Sequence, residues 1–397
     1  MNLEFPAESD GFRQEVVSFL EREWVSQSKT GLHKDLGFVR EFRARATEEG
    51  YLYRGVPRRY GGSEQPADPI RAHLIRECFQ KVRAPLEFPG NGVSMLAPTL
   101  LECGTEAQRE QFIPKTLTGE YRWAQGYSEP GAGSDLASLT TRGVLQGDNW
   151  VINGQKIWTT LAFQCTHMFA LVRTEQEAGK HTGISYLLLE MDQPGITVKK
   201  IHQISGQSEF CEVFMEDART PANWIVGKRG EGWTVSKSTL KHERNSIGGE
   251  RTLHLFESLL RLARNTTIDG QLAIDNPVLR DRIFAIEGFV RAQVCSGYFQ
   301  LTKAINDEGA GLHPLMNKLG ATATGLEIAQ IASEIINDRG LYMPSNEGSG
   351  RRNPEQWLNQ IFGSLAMSIA GGTSNIQRNI IAERGLGLPR EPSREES

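Results

Sequence analysis

Residues 123–138 read WAQGYSEPGAGSDLAS and form the most informative stretch of this chain. Gly131 and Gly133 lie close to the hydroxyls of Ser128 and Ser134, all within seven residues. A backbone bent by glycines can direct several N–H groups at one phosphate. Taken alone the stretch is weak evidence, because a glycine-rich turn without a ligand is the more common arrangement.

The sequence on either side of this stretch differs in its apolar spacing. Before it, up to residue 120, apolar residues recur at three and four positions, which predicts helices joined by Gly/Pro turns. Residues 121–230 contain short apolar runs bounded by Gly, Asp, Asn and Pro, which predict antiparallel strands. From 231 to 397 the helical spacing returns in runs long enough for bundle helices. We therefore expect three domains, over 1–120, 121–230 and 231–397.

Composition excludes several classes of function. The 397 residues carry a net charge of −4 without a basic run, which argues against nucleic-acid and membrane-surface binding. No apolar stretch approaches the roughly 20 residues that a membrane helix requires. The acidic, polar start resembles neither a secretory signal nor a basic transit peptide, so we expect a cytoplasmic protein.

The cysteine pattern argues against a metal centre. The five cysteines are far apart in sequence and form no C-x-x-C pair, and the eight histidines are similarly scattered. Such a pattern is typical of reduced thiols in a reducing compartment. We expect no metal site.

Four segments, taken together, resemble the acyl-CoA dehydrogenase family in their order and spacing. They are WAQGYSEPGAGSDLAS at 123–138, DNWVINGQKIWTT at 148–160, TPANWIVGKRGEGW at 220–233 and GGTSNIQRNIIAERGLGLPR at 371–390. The resemblance covers nearly the whole chain, including GTEAQREQFIPKTLTGE at 104–120. It implies an α+β, mainly α fold: an N-terminal helical domain, a middle antiparallel β domain and a C-terminal four-helix bundle.

The resemblance also implies FAD, bound in the cleft between the last two domains. Eight positions match the family's FAD contacts. These are Tyr127, Ser128, Gly133, Ser134, Trp158, Thr160, Thr373 and Asn375. By position, the first two would lie along the flavin ring, with the serine near N5, and the next two would meet the pyrophosphate. The tryptophan would pack beside the ring, Thr160 would hydrogen-bond to it, and the last two would close over it from the C-terminal side.

The family's chemistry requires a base that this chain lacks at the usual place. A carboxylate removes the α-proton of an acyl thioester while the β-hydrogen leaves as hydride to flavin N5. In most members that Glu occupies the position of Gly371; in the isovaleryl-CoA and long-chain types it comes from the first long bundle helix, at the position of Glu243. Leu240 and Ile247 place Glu243 on an apolar stripe. An exposed Glu in a charged run is the alternative. We expect Glu243 to be the catalytic base.

Three further residues are implied to bind the substrate. Backbone N–H groups at Gly371 and Gly372, with a ribityl hydroxyl of the flavin, would activate the thioester carbonyl. Arg244 cannot act as a base at neutral pH. It would either pair with a carboxylate or lie close to bound CoA. Residues 93–97 and the start of the first bundle helix would contribute to the floor of the acyl pocket.

Two family features that hold the ADP end of a neighbouring subunit's FAD are degraded. Arg264 is followed by Asn-Thr-Thr instead of reaching a Phe-Gly, and residues 337–340 read NDRG where Gln-x-x-Gly-Gly is expected. Together with an ending similar to actinobacterial members, these departures suggest either a homotetramer or an α2β2 heterotetramer with a paralogue. The resemblance implies an electron-transferring flavoprotein or similar acceptor as a further partner, and a role in fatty acid or other lipid metabolism.

Three functions remain in competition. The first is the FAD-dependent dehydrogenation of an acyl-CoA. The second keeps the fold but makes the protein a flavin oxidase or monooxygenase, or a dehydrogenase of carrier-protein-bound acyl groups. The third is a non-enzymatic subunit that completes a paralogue's active site.

Overall fold

The computed structural model of this chain describes residues 8–28, 31–245, 250–306, 308–309, 311–338 and 356–389. The chain divides into two compact units. The first comprises Met1–His202 with Ser208–Glu243, and the second comprises Gln203–Gln207 with Arg244–Ser397. Across the described ranges, no helix combines the length and apolar character needed to cross a bilayer.

Short helices make up the N-terminal part of the first unit. They are α1 Glu8–Leu20, α2 Ser26–Ser28, α3 Leu36–Glu48, α4 Pro69–Val82, α5 Ala97–Cys103 and α6 Glu106–Thr118, with π-helical turns at Glu21–Val25 and Gly92–Leu96. Asp35 and Asp68 cap α3 and α4, and Thr105 forms a capping box with Gln108 at the start of α6. These caps satisfy amides that the helices leave without partners, so the polar residues before each apolar run fix where the helix begins.

A mixed, mostly antiparallel sheet follows. Its strands are β1 Trp123–Gly126, β2 Arg142–Gln146, β3 Asn149–Thr160, β4 His167–Arg173, β5 Ile184–Glu190, β6 Ile196–Lys200, β7 Phe210–Pro221 and β8 Ile225–Val226. Within the described residues the strand order is β6-β7-β3-β2-β4-β5-β8, with β1 added to β4. The expected antiparallel pairing is confirmed for most pairs, but β4 runs parallel to both β1 and β2.

Both faces of β4 are buried. Phe169 and Leu171 pack into the core that the N-terminal helices form, while Met168 and Ala170 pack into a second core within the β domain. Because successive side chains of a strand point to opposite faces, a strand between two cores reads as a continuous apolar run. This explains why HMFALV in the sequence lacks the alternation of a half-exposed strand.

The first unit ends within the helix α7, Gly232–Asn245, at Glu243. Its residue Val235 is buried in the helical core, and Leu240 packs against the same core. The helix therefore packs within the first unit along much of its length.

The second unit is mainly helical. Its elements are α8 Glu250–Asn265, β9 Thr267–Ile268, β10 Gln271–Leu272, α9 Pro277–Ile305, α10 His313–Ile336, α11 Gln356–Met367 and α12 Ser374–Ile380, followed by a π-helical turn at Ile381–Gly385. Among the described residues, α10 packs against α8, α9 and α11. Leu259, Val290 and Ile328 are fully buried in their shared core. The expected fold class, mainly helical with an antiparallel β domain and a helical bundle, is confirmed.

Candidate functional site

The loop after β1 carries the first two predicted contacts, Tyr127 and Ser128. The Tyr127 ring is buried and meets Phe169 and Tyr186 edge to face, with ring centroids 6.0 and 6.3 Å apart. Its side chain is therefore part of the core, and the group it can offer a ligand is its backbone. Ser128 is half-buried at the start of the turn.

A buried ion pair ties this loop to β3. The Lys156 ammonium lies 2.8 Å from a carboxylate oxygen of Glu129 and also donates to the Tyr127 carbonyl at 3.2 Å. The Ile157 amide donates to the Ser128 carbonyl at 2.9 Å. The carbonyls of both predicted residues are thus held by the strand, which leaves the other side of the loop for a ligand.

The Glu129 carboxylate is fully hydrogen-bonded despite its burial. It accepts from the amides of Thr140 and Thr141 at 2.7 and 2.9 Å. Burial alone would raise the pKa of Glu129, but the Lys156 ammonium and the hydrogen bonds outweigh this effect and hold the pKa at about 2. Burial lowers the pKa of Lys156, and Glu129 opposes that shift.

Sequence reasoning missed this pair. The alternation of side chains along β3 could have indicated it. Lys156 lies on the same face of the strand as Trp150 and Ile152, both of which are buried. A lysine at an inward position of a strand needs a buried partner.

The glycine loop offers unused donors. At Gly131 and Gly133 a Cβ atom would meet nothing within 4 Å. Among the described residues, no acceptor is hydrogen-bonded to the amides of Gly133 and Ser134, although Glu129 and Ala132 exchange backbone hydrogen bonds just before them. Free amides and an exposed serine hydroxyl at a bend suit a phosphate. A cavity of about 300 Å³ adjoins this loop, lined by Glu129, Pro130, Gly131, Ser138, Thr140 and Gln155.

Trp158 has the most unusual conformation of the predicted residues. The pairing of β3 with β7 shifts register between Lys156 and Thr159, and Trp158 within this bulge has a φ of +60°. Its side chain is 57% exposed and touches Phe210 edge to face, with centroids 6.0 Å apart. A bulge and a left-handed tryptophan are both costly, and such features cluster at ligand sites. Tryptophan is usually buried, but here the fold keeps a large flat apolar face out of the core.

The two threonines after Trp158 have opposite environments. Thr160 is exposed and lies opposite Phe210 in the ladder. Thr159 is buried, and its hydroxyl has no partner among the described residues. The exposed hydroxyl of Thr160 is free to bind a ligand on the same strand as the Trp158 ring.

The second unit contains the glycine turn. Gly371 and Gly372 have φ values of +63° and +89°, which glycine adopts at little cost. The buried ammonium of Lys318, on α10, donates to the carbonyl of Ala370 at 2.7 Å and also to that of Gly372. The buried amide of Gln377 donates to the carbonyls of Gly371 and Gly372 at 3.0 and 3.1 Å. Every carbonyl from 370 to 372 is therefore held by a side chain.

The amides of this turn are in the opposite situation. Within the described ranges, nothing accepts a hydrogen bond from the N–H groups of Gly371 and Gly372. Thr373 caps the N-terminus of α12, and its hydroxyl oxygen accepts from the Ile376 amide at 3.2 Å. Asn375 is exposed in the first turn of that helix. The turn thus presents available donors next to two predicted FAD contacts.

Glu243 and Arg244 fall in the last turn of α7, and their side chains lie outside the described residues. One turn earlier, Thr239 is fully buried, with its hydroxyl 3.0 Å from that of Thr99. Helical spacing places position 243 on the same face of α7 as Thr239.

Glu102, on α5, holds the end of α7. Its carboxylate accepts a hydrogen bond from Ser238 and lies 3.1 Å from the imidazole Nε2 of His242. The Ser238 hydrogen bond, with the nearby charges of Lys241 and His242, lowers the pKa of Glu102. These contacts position the helix immediately before Glu243.

Two further observations concern the acyl pocket and metal binding. Met95, Leu96 and Ala97, proposed for the pocket floor, are buried in the helical core of the first unit. Among the described residues, no group of three His, Cys, Asp or Glu side chains could hold a metal ion.

Comparison with known proteins identifies the family. Three family models match: acyl-CoA dehydrogenase, N-terminal domain, over 6–120; middle domain, over 124–218; and C-terminal domain, over 230–386. Acyl-CoA dehydrogenase IpdE1 of Mycobacterium tuberculosis (strain ATCC 25618 / H37Rv) is 38% identical over 360 residues, covering 89% of this chain and 88% of that protein. Its namesake in Mycolicibacterium smegmatis is 38% identical over 335 residues, covering 81% of each.

Solved structures agree with this assignment. The Tcur3481-Tcur3483 steroid ACAD superposes with a TM-score of 0.79 at 29% identity, covering 98% of this chain and 100% of that one. The ChsE4-ChsE5 complex from Mycobacterium tuberculosis gives 0.78 at 25% identity, with the same coverage. This chain therefore belongs to the acyl-CoA dehydrogenase family of flavoprotein enzymes.

Proposed function

We propose that this chain binds FAD and converts an acyl-CoA thioester into the trans-2-enoyl-CoA, with Glu243 as the base. The observation that carries the proposal is the turn at Gly371 and Gly372, whose carbonyls are all held by Lys318 and Gln377 while its amides have no acceptor among the described residues. A thioester carbonyl oxygen is an acceptor of the kind that such a pair of amides binds.

The residues of the first unit fit FAD by their chemistry. The exposed face of Trp158 suits a flat ring, the hydroxyls of Ser128 and Thr160 suit its polar edge, and the amides of Gly133 and Ser134 suit a diphosphate. On the second unit, Thr373 and Asn375 are the matching contacts. Bound FAD supplies the acceptor for the hydride that leaves the β-carbon.

The protein's own part in the reaction is to acidify and remove the α-proton. Hydrogen bonds from the amides of Gly371 and Gly372 stabilise negative charge on the carbonyl oxygen, and each such donor contributes about 10²–10³ in rate. Glu243 takes the proton. Arg244 stays cationic, so its role is to bind CoA or to pair with a carboxylate.

Anaerobic bleaching of the flavin tests this proposal. The protein would be mixed with short, branched and steroid-derived acyl-CoA thioesters, the last because one solved relative is a steroid ACAD. Bleaching should follow with at least one thioester and fall by about 10²–10⁴ in Glu243→Gln. Glu257→Gln, at an exposed position of α8, is the matched control and should bleach as the wild type does. Equal bleaching in Glu243→Gln and the wild type, at equal FAD content, would contradict the assignment of the base.

The same holoenzyme separates the competing activities. A dehydrogenase passes its electrons to an electron-transferring flavoprotein or an artificial acceptor and consumes little oxygen. An oxidase releases peroxide in proportion to oxygen consumed. Comparison of a CoA thioester with the same acyl group on a carrier protein identifies the carrier. If none of the thioesters bleaches the flavin until a paralogue is added, this chain is the non-catalytic subunit.

The assembly that we propose is a tetramer, either of this chain alone or of two chain types. Two solved relatives bear paired names, Tcur3481-Tcur3483 and ChsE4-ChsE5, which favours the mixed form. On α9, Val278, Phe284 and Phe289 are more than 60% exposed, and exposed apolar side chains of this size mark protein contacts. Native mass spectrometry of the chain purified alone decides between the two: a stable homotetramer with four FAD would exclude the mixed form.

A further inference from the structure

Lys318 is a cation enclosed by the bundle. Its side chain is 3% exposed, and its ammonium donates to the carbonyls of Ala370 and Gly372. Burying an ammonium is costly unless its donors are satisfied, so a lysine at this position needs strong acceptors. The glycine turn supplies them through its backbone.

Holding a carbonyl also orients an amide. The carbonyl of Ala370 and the N–H of Gly371 belong to one planar trans peptide group and point in opposite directions. The carbonyl of Gly371 and the N–H of Gly372 are related in the same way. Because Lys318 holds the first carbonyl and Gln377 holds the second, both N–H groups must point away from these side chains.

The charge has a second effect. A cation hydrogen-bonded to a peptide carbonyl polarises that peptide group, and its N–H becomes a stronger donor. Lys318 acts in this way on the peptide group that carries the Gly371 amide. Gln377 is neutral, so it orients the next peptide group with little polarisation.

We propose that Lys318 is a positioning residue of the active site: its buried ammonium orients and polarises the Gly371 amide as a donor to the thioester carbonyl. This inference rests on the proposed function, because it assigns the acceptor of that donor. Lys318 itself touches neither substrate nor cofactor.

The test compares two ligands that differ only in the carbonyl. Trans-2-octenoyl-CoA is a thioester, and S-(trans-2-octenyl)-CoA is the matched thioether, in which a CH2 group replaces the carbonyl, so that it lacks the oxygen that the amides would bind. Calorimetry on the FAD-loaded protein gives the affinity for each. Lys318→Met should weaken binding of the thioester about tenfold or more and leave the thioether unchanged, and its turnover of a thioester substrate should fall about 10²-fold.

Matched variants test whether the effect of Lys318→Met comes from a general loss of folding or of FAD binding. Lys303 on α9 pairs with Glu308 at the surface, so Lys303→Met should bind both ligands as the wild type does. FAD content and unfolding temperature are measured on each variant. If Lys318→Met does not fold, Gln377→Met replaces it, because that variant frees the carbonyl of Gly371 and should also weaken the thioester selectively.

Two results overturn the inference. One is a folded variant that binds both ligands as the wild type does, and the other is an equal loss for thioester and thioether. The proposed function is tested separately, by flavin bleaching of the wild-type protein. Suppose that the wild type prefers the thioester, that Lys318→Met loses this preference, and that no thioester bleaches the wild-type flavin. The role of Lys318 would then be retained and the dehydrogenation rejected.

Discussion

The ammonium of Lys156 lies 2.8 Å from a carboxylate oxygen of Glu129, and the two side chains are only 0% and 6% exposed. A buried pair of this kind is stable because both partners are present and hydrogen-bonded, and the loss of one leaves a charge without compensation. Here the same ammonium also binds the Tyr127 carbonyl, so the pair sets the path of the loop that carries Ser128.

Replacing Lys156 should therefore affect both the stability of the fold and the binding of flavin. Lys156→Met should lower the free energy of unfolding by about 3–5 kcal/mol, because the buried carboxyl group of Glu129 loses the cation that compensates it. Lys180→Met removes an ion pair to Asp135 of similar length, 2.7 Å, but with both partners about half exposed. It should cost less than about 1 kcal/mol. Urea unfolding and bound flavin absorbance measure the two effects, and equal losses in both variants would contradict the argument.

His167 should make stability depend on pH between neutrality and pH 5. It is 4% exposed, and its ring lies 4.0 Å from that of Tyr121 and 4.9 Å from that of Trp123. Burial, with a smaller contribution from the charge of Lys115, lowers its pKa from 6.5 to about 4. In the unfolded chain this histidine binds a proton as the pH falls through about 6.5, whereas in the folded chain it stays neutral until about pH 4. The stabilisation that is present above pH 6.5 is therefore lost as the pH falls toward 4.

From pH 7 to pH 5 the contribution of His167 should fall by about 2 kcal/mol. His167→Phe should remove this part of the pH dependence, measured by denaturant unfolding at both pH values. His254→Gln changes a histidine that is 69% exposed and serves as the control, with the wild-type dependence expected. A His167→Phe protein with the full wild-type pH dependence would show that another group is responsible.

Trp158 should give opposite effects on stability and on cofactor binding. Its φ of +60° favours glycine, so Trp158→Gly should relieve backbone strain worth about 1–2 kcal/mol. The same change removes the ring, so FAD affinity should fall about tenfold or more through lost stacking. Trp158→Phe should retain more FAD, and Leu145→Ala, at an exposed position of β2, should change neither quantity. Unfolding of the FAD-free protein and flavin titration provide the two measurements, and unchanged FAD affinity in Trp158→Gly would remove this residue from the site.

Local sequence patterns predicted the helices and strands better than they predicted what these elements pack against. The period of three and four in α7 indicated that one face is buried, but period does not say against what. The structure packs Val235 and Leu240 against the core of the first unit. Similarly, the glycine loop and Trp158 were found from motifs, while the exposure of the Trp158 ring was not, because it depends on a bulge relative to β7.

The supporting charges were the harder part to predict. Lys156 and Lys318 are each satisfied by groups distant in sequence. The partner of Lys156 is 27 residues away, and that of Lys318 is 52 residues away. Periodicity can flag an inward lysine, but only the folded chain identifies which carboxylate or carbonyl accepts from it.

Relocating the carboxylate should test the geometry of the proposed site. Gly371 is exposed with a φ of +63°, so a glutamate there costs about 1–2 kcal/mol of backbone strain. The double variant Glu243→Gln with Gly371→Glu should regain flavin bleaching about tenfold or more above Glu243→Gln alone, because general base catalysis contributes about 10²–10⁴.

The neighbouring position provides the control for this relocation. At Gly372 a Cβ atom would lie 2.8 Å from the Gln377 amide nitrogen, which holds the carbonyls of the turn. Glu243→Gln with Gly372→Glu should therefore regain nothing, since the added side chain displaces the group that orients the amides. The measurement is anaerobic bleaching by one thioester in all four proteins at matched FAD content. If the Gly371→Glu double variant stayed as slow as Glu243→Gln, an acid at position 371 could not reach the α-carbon, and the assignment of that turn to the thioester would fail.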